Sequence, residues 1–528
     1  MLMLRLPTLV LAATLLAAPV SAQTLRIGMT AADIPTTTGV PNNGFEGYRF
    51  LGYPPYDALV NWDFTHTDQP ATIKPGLFTE WRIDEKDQLR WLFTVREDVK
   101  FHDGSDFNVD AVVWNLQRLY DEKSPQFDAQ GSAIVRAAVS MLDKWEKVDG
   151  HTIAISTKYP FSFFPWLLTR VLMASPTQFD KVGKSWAEFA KAPMGTGPFK
   201  ITKVVPAQFV EMERFEGYWD KTRIPKLQKL VLRPMAEATT RLAALRSGEV
   251  DWIEVPPPDA IESLKAAGYQ ISLKPYPHTW PYVLNTTGSS PFKDKRVRQA
   301  LNYAIDREGI VQLIAGTARP AAGLYPPESP YFGTPTEHYK YDPEKAKALL
   351  KEAGYGPDHP VKAKIMVSTS GSGQMLPLPM NEVIQQQVKP LGFDLDFDIV
   401  EWGTMLIGIR SAPDAAPSHG VDGVNISLSS VDPSTMFRYY ASASYSPTNF
   451  NWAHWSSPET DKLLGDAQAT FDPAVQTKLL AEAHAKIVDA APWVFIVHDL
   501  NPRALSPRVK GFNPAQSWFQ DLTKVTVE

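Results

Sequence analysis

Side chains able to do chemistry are plentiful in this chain, but few stand at the spacing that chemistry needs. His102 and Asp103 are adjacent in a turn closed by Gly104, and such a pair invites a metal or general-base reading. The same residues serve a turn as hydrogen-bond partners of the backbone, with the glycine supplying positive φ, so a structural role is expected. The ten histidines otherwise stand alone in the sequence. There is no H-E-x-x-H pair, no G-x-S-x-G elbow and no G-x-x-x-x-G-K-[ST] loop, so metalloprotease, hydrolase and nucleotide readings lack their local signals. A catalytic site assembled from distant residues stays open. Asp394, Asp396 and Asp398 alternate with Leu395, Phe397 and Ile399; on a strand the three carboxylates share one wet face, and the glycine and glutamate of a calcium loop are missing. No catalytic residue, metal or cofactor is therefore expected. Fifteen Trp, 18 Tyr and 26 Phe fit a cleft lined by flat, rigid side chains as well as a core.

The elements that must position these residues alternate between helix and strand. Residues 24–28 and 89–95 read as strands, and the Thr-, Pro- and Asn-rich run 35–44 after the first strand reads as a loop suited to ligand contacts. Asn108 caps a helix whose Val109, Val112, Val113, Leu116 and Leu119 keep helical spacing. Helices over 238–246 and 258–267 end at Gly248 and Gly268, with a strand at 250–253 between them. Asp342-Pro343 opens a helix that Gly354 closes, and the last long helix runs over 473–490 before the apolar strand 493–497. Mixed α/β lobes follow from this alternation.

Bulk properties narrow the function further. Arg5, the apolar run 6–18 and the small residues Val20-Ser21-Ala22 have the three-part layout of a cleavable export signal, and about 13 apolar residues are too few for the roughly 20 that cross a bilayer. The expected cleavage follows Ala22. The absence of cysteine removes disulfides, thiolate metal sites and the lipid-bearing residue of an exported lipoprotein. Lys and Arg total 53 against 58 Asp and Glu, a net charge of -5 without long runs of one sign, which gives no support to nucleic-acid or anionic-membrane binding.

The segment 91–120, WLFTVREDVKFHDGSDFNVDAVVWNLQRLY, resembles the family 5 extracellular solute-binding proteins, the dipeptide, oligopeptide and nickel binders of ABC importers. Phe93, Arg96, Val99, Phe101, His102, Asp103 and Gly104 carry the family's turn, and Asn108 stands where the family usually has Thr. Further matches come in the family's order: GTGPF at 195–199, RLAALRSGEVDWI at 241–253, PFKDKRVRQALNYAIDRE at 291–308 and YDPEKAKALLKEAGY at 341–355.

The resemblance implies the large, type II (cluster C) periplasmic-binding-protein fold: two α/β lobes, a hinge and an additional inserted domain. By that analogy lobe I comprises 23–60, 195–275 and 493–528, the inserted domain 61–194, and lobe II 276–492. It also implies a periplasmic monomer that is not an enzyme, holds a small peptide or peptide-like solute between its lobes and delivers it to inner-membrane permease subunits. A non-peptide solute, such as a glycoside, organic chelate or metal complex, is the alternative, as is a periplasmic hydrolase or signalling receptor on the same scaffold. The expected ligand contacts are Asn42, Asn43, Trp280, Tyr282, Trp402, Asn425, Ser429, Asp432, Arg438 and Tyr440. Two departures bear on the ligand. The family's peptide binders hold the α-ammonium with an Asp three residues before an acidic-Pro pair, whereas the residue that precedes Asp432-Pro433 in this way is Ser429; a shifted alignment would supply Asp422 or Asp432 instead. The stretch 368–380 also lacks the Arg that clamps a dipeptide's carboxylate. Arg410 and Arg438 are left as candidates for an anionic group.

Overall fold

The computed structural model describes residues 23–528; the expected export signal, 1–22, lies outside the described residues. Two seven-stranded sheets form the two lobes. At the centre of the first, Thr24–Met29 runs parallel to both Lys229–Pro234 and Trp252–Glu254. Its Leu25, Ile27 and Met29 are fully buried against Leu230, Leu232 and Trp252. Phe209–Arg214 and Phe199–Val205 extend one side, while Arg503–Leu505 and then Gln270–Ser272 complete the other.

The second sheet is built around His278–Leu284 and Trp493–Asp499, which pair antiparallel and are buried along their whole length. Ala318–Pro320 flanks one side, and Gly423–Asn425, Val361–Ser368 and Phe393–Val400 follow on the other. This places the apolar strand Trp493–Asp499 in the second lobe, so the chain crosses back after Asp499 and not at 493 as the resemblance implies. The reason is that the strand pairs with His278–Leu284 along Trp493 to Val497 on one edge and with Ala318–Pro320 along Val497 to Asp499 on the other. The outer strand Phe393–Val400 keeps Asp394 and Asp396 exposed, but Asp398 is engaged by Lys364 at 3.5 Å and His419 at 2.7 Å.

A third layer, the antiparallel sheet of Phe78–Asp84, Asp87–Val95, Thr152–Thr157 and Leu142–Lys147, is packed by the helices Val109–Tyr120 and Ala129–Ala138. The first of these starts where the Asn108 side chain accepts from the Ala111 amide at 3.0 Å. His102 fastens this layer to the first lobe: its Nε2 donates to the Gly197 carbonyl at 2.8 Å and its Nδ1 accepts from the Gly195 amide at 3.3 Å. Burial holds the ring neutral, with its pKa pushed down to about 4. Asp103 accepts from the Ser105 amide and from the Ser175 hydroxyl. Gly195 is needed because any Cβ there would sit 2.2 Å from the Pro55 carbonyl oxygen. The His102-Asp103 turn and the GTGPF segment are therefore two halves of one joint.

The two crossings between the lobes lie side by side. The Lys274 amide donates to the Leu500 carbonyl at 2.9 Å, and the Tyr276 hydroxyl donates to Asp499 at 2.6 Å. Beneath them Arg49 pairs with Glu254 and donates to Asn501 and to the Trp518 carbonyl, with Arg503 completing the cluster 3.4 Å from Glu254. Among the described residues, no helix is long and apolar enough to cross a membrane.

Candidate functional site

Between the lobes lies a cavity of about 710 Å³, within the range of a small-molecule site. A second recess, beside Asp57 and Arg223, measures about 30 Å³ and has room only for water. The first lobe contributes the loop after Thr24–Met29, with Asn42, Asn43, Phe45 and Tyr48, while the third layer adds Ile134 and Arg170. The second lobe contributes His278, the turn 370–372, Trp402, residues 426–429, Arg410, Arg438 and Phe450. Contacts across the cleft already join the two sides: the Ser372 hydroxyl donates to the Asn43 carbonyl at 3.4 Å, and Arg170 lies 3.6 Å from Asp432.

Of the residues expected to touch a ligand, Asn42, Asn43, Trp402, Ser429 and Arg438 line this cavity. Trp402 lies flat against the backbone of Gly371, where a Cβ would come within 2.3 Å of the ring. Asp432 is set back from the cavity wall, capping the Ser434 amide at 3.0 Å and facing Arg170. Trp280, Tyr282, Asn425 and Tyr440 lie inside the second lobe and do not line the cavity. Tyr282 donates to Asn381, Asn381 to Asn425, and Asn425 to the Pro281 carbonyl, while Tyr440 packs on Trp493. Past His278, strand His278–Leu284 is covered on both faces, so its alternation has no wet side to present. Asp422 accepts from the Lys364 amide and is likewise absent from the cavity wall.

Arg170, Tyr48, Phe450 and His278 are among the lining residues that sequence reasoning missed. Arg170 sits on the short turn Leu168–Arg170, which has no periodicity to flag it. All three arginines lie close enough to the Tyr48 hydroxyl to pull its pKa downward, against a burial effect that still raises it to about 12. Arg438 is pushed down to about 10 by burial first, and then by Arg170 and Arg410. Its guanidinium lies 3.8 Å over the Phe450 ring, and its Nε has no hydrogen-bond partner.

A serine-histidine contact also borders the cavity, with Ser427 Oγ 2.8 Å from His278 Nδ1. It lacks the features of a nucleophile and base. His278 packs with Tyr276 and Trp518 in a three-ring cluster, no carboxylate among the described residues orients it, and burial and Arg49 push its pKa down to about 3, far below a working general base. Gly373 closes over the pair so tightly that a Cβ would lie 2.3 Å from the imidazole. No group of three or more His, Asp or Glu side chains among the described residues is placed to hold a metal.

The family model of the bacterial extracellular solute-binding proteins, family 5 (middle region), matches residues 72–444. The chain belongs to that family. Among curated family 5 relatives, the glutathione-binding protein GsiB of Shigella flexneri is 31% identical over 489 residues, covering 88% of this chain and 90% of its own. Among solved structures, the dipeptide-binding protein of Pseudoalteromonas sp. SM9913 in complex with Met-Leu superposes with a TM-score of 0.82 at 24% identity, covering 96% of this chain and 100% of its own. The periplasmic binding protein DppA of Helicobacter pylori in complex with the peptide STSA gives 0.80 at 23%, covering 96% and 98%. These likenesses confirm the two-lobed, mixed α/β periplasmic-binding-protein fold that the resemblance implies.

Proposed function

We propose that this family 5 protein is exported, cleaved after Ala22 and acts in the periplasm as the solute-binding subunit of an ABC importer. It captures a peptide-like solute between its lobes, and as a monomer presents the closed form to inner-membrane permease subunits. The observation that carries this reading is the cavity of about 710 Å³ walled by both lobes, so that a solute contacting both walls favours closure over opening. The glutathione and dipeptide ligands named for its relatives support a peptide-like solute. The Ser427–His278 pair gives catalysis no support, since no carboxylate among the described residues orients the imidazole and it is too weakly basic.

The test is calorimetric titration of ligand-free protein with glutathione and with Met-Leu, followed by chromatography of the recovered ligand. Micromolar binding, about 8 kcal/mol, with the ligand returned intact is the expected result. Consumption of the ligand would refute capture without turnover. A second reading, a non-peptide solute, is favoured by one observation: Ser429 lines the cavity with a hydroxyl, at the position where the resemblance implies a carboxylate in peptide binders. Native mass spectrometry of protein from its own host separates the two by the mass of the ligand that co-purifies.

A further inference from the structure

The cleft carries an imbalance of charge that the proposed capture of a peptide-like solute does not by itself explain. Three guanidiniums converge on it. Arg438 has no ion-pair partner among the described residues and leaves Nε unsatisfied. Its face is covered by Phe450, which leaves the nitrogen edge of the planar fork as its binding side. Arg410, exposed at the rim, has its guanidinium 5.8 Å from the same ring, also without an acidic partner among the described residues. Arg170 has only Asp432, at 3.6 Å, which is beyond hydrogen-bond length.

The acidic groups do not offset the inner pair, Arg170 and Arg438, because the one buried carboxylate beside them, Asp432, is shared between both. Glu46 is buried in the first lobe, accepts from the Thr30 amide at 2.8 Å, and is driven toward its neutral form by burial. Asp33 and Glu401 are exposed at the rim. His278 is neutral, and Ser429 offers a hydroxyl. A partly buried arginine without a counter-charge is costly, and a planar carboxylate that fills its fork removes the cost.

We infer that the solute is taken up as an anion: one carboxylate seats on Arg438 and a second lies between Arg170 and Arg410, so the cleft selects peptide-like dicarboxylates over zwitterionic dipeptides. This rests on the reading of the protein as a peptide-like solute binder. A dicarboxylate also explains how a site with Ser429 retains affinity for a peptide-like molecule, because the binding energy comes from the ligand's acidic groups rather than its ammonium.

The experiment titrates ligand-free wild-type protein, R438Q and R438K with glutathione, which has two carboxylates, with its dimethyl ester, and with zwitterionic Met-Leu. For the wild type, glutathione is expected to bind about 30-fold or more tightly than either other probe, the loss expected when one partner of a buried charge pair is removed. R438Q is expected to lose a similar factor for glutathione and little for the ester, with R438K intermediate because it keeps the charge without the fork. Ester or Met-Leu binding as tight as glutathione in the wild type would overturn the anion rule while leaving solute capture intact, and this comparison needs no variant to fold. Silence from all three probes would overturn the capture of peptide-like solutes, and the anion rule with it.

Discussion

Asp499, at the second crossing between the lobes, titrates in a range that a stability measurement reaches easily. Burial raises its pKa from 3.8 to about 6, against the lowering effects of the Tyr276 hydroxyl, the Asn501 amide, Arg49 and Arg503. A buried carboxyl whose native pKa is raised binds its proton more tightly in the folded chain. Its favourable contribution is thus complete below about pH 4 and is lost as pH rises through about 6. At roughly 1.4 kcal/mol per pKa unit, the full swing is about 3 kcal/mol. Asp499→Asn removes the titration but keeps an acceptor for the Asn501 amide and a polar atom facing Tyr276. Urea denaturation of both proteins at pH 4 and pH 7.5 isolates the term as the change in their stability difference, since every other group cancels. The variant should gain on the wild type by about 2.5 kcal/mol between the two pH values, slightly less than the full swing because the unfolded carboxyl is already partly ionised at pH 4. A difference that stays constant, or moves the other way, would show that the carboxylate is stabilised as an anion by Arg49 and Arg503, and the reasoning from burial would be wrong.

Four further outcomes follow from the geometry. Gly195→Ala should lower stability by about 3 kcal/mol or more, because the new methyl would meet the Pro55 carbonyl at 2.2 Å and overpacking of this kind forces the backbone to move; a thermal scan reads it. Arg170→Ala leaves Asp432 buried without its partner, so small-angle scattering should show a larger radius of gyration, and any bound solute should be held more weakly. Asn425→Ala should cost about 1–3 kcal/mol through the unpaired Asn381 and Pro281 groups, while leaving solute affinity within about twofold because the side chain is not on the cavity wall. His102→Ala should detach the third layer from the first lobe and speed proteolysis within 61–194, since both bonds to Gly195 and Gly197 are lost.

Local signals in the sequence were a good guide to single elements. Asn108 and Asp342 cap helices as their positions predict, Gly248 and Gly268 end helices at φ 77° and 84°, and Pro473–Ala490 matches its expected span. These depend on residues within a few positions of each other. The cleft depends on distant parts of the chain. Tyr282 and Trp402 are equally aromatic, yet one is sealed in a central strand and the other faces the cavity, a distinction set by which strands pair on either side. Arg170 and Arg438 are 268 positions apart in the numbering and act together only because the third layer folds over the cleft. The lobe boundary was misplaced at Trp493 for the same reason: an apolar strand reads identically in either sheet.

The short stretch 493–505 holds a consequence for the order of assembly. Trp493–Asp499 is an interior strand of the second sheet, and Arg503–Leu505 is inserted between Trp252–Glu254 and Gln270–Ser272 in the first. A nascent chain lacking this segment presents two gapped sheets with unpaired edges, and neither can be completed from what has already been synthesised. Pairings that span most of the chain's length are slow to form. Completion of both sheets therefore waits on the same short stretch, which ties the folding of the two lobes to one late event instead of letting either finish alone.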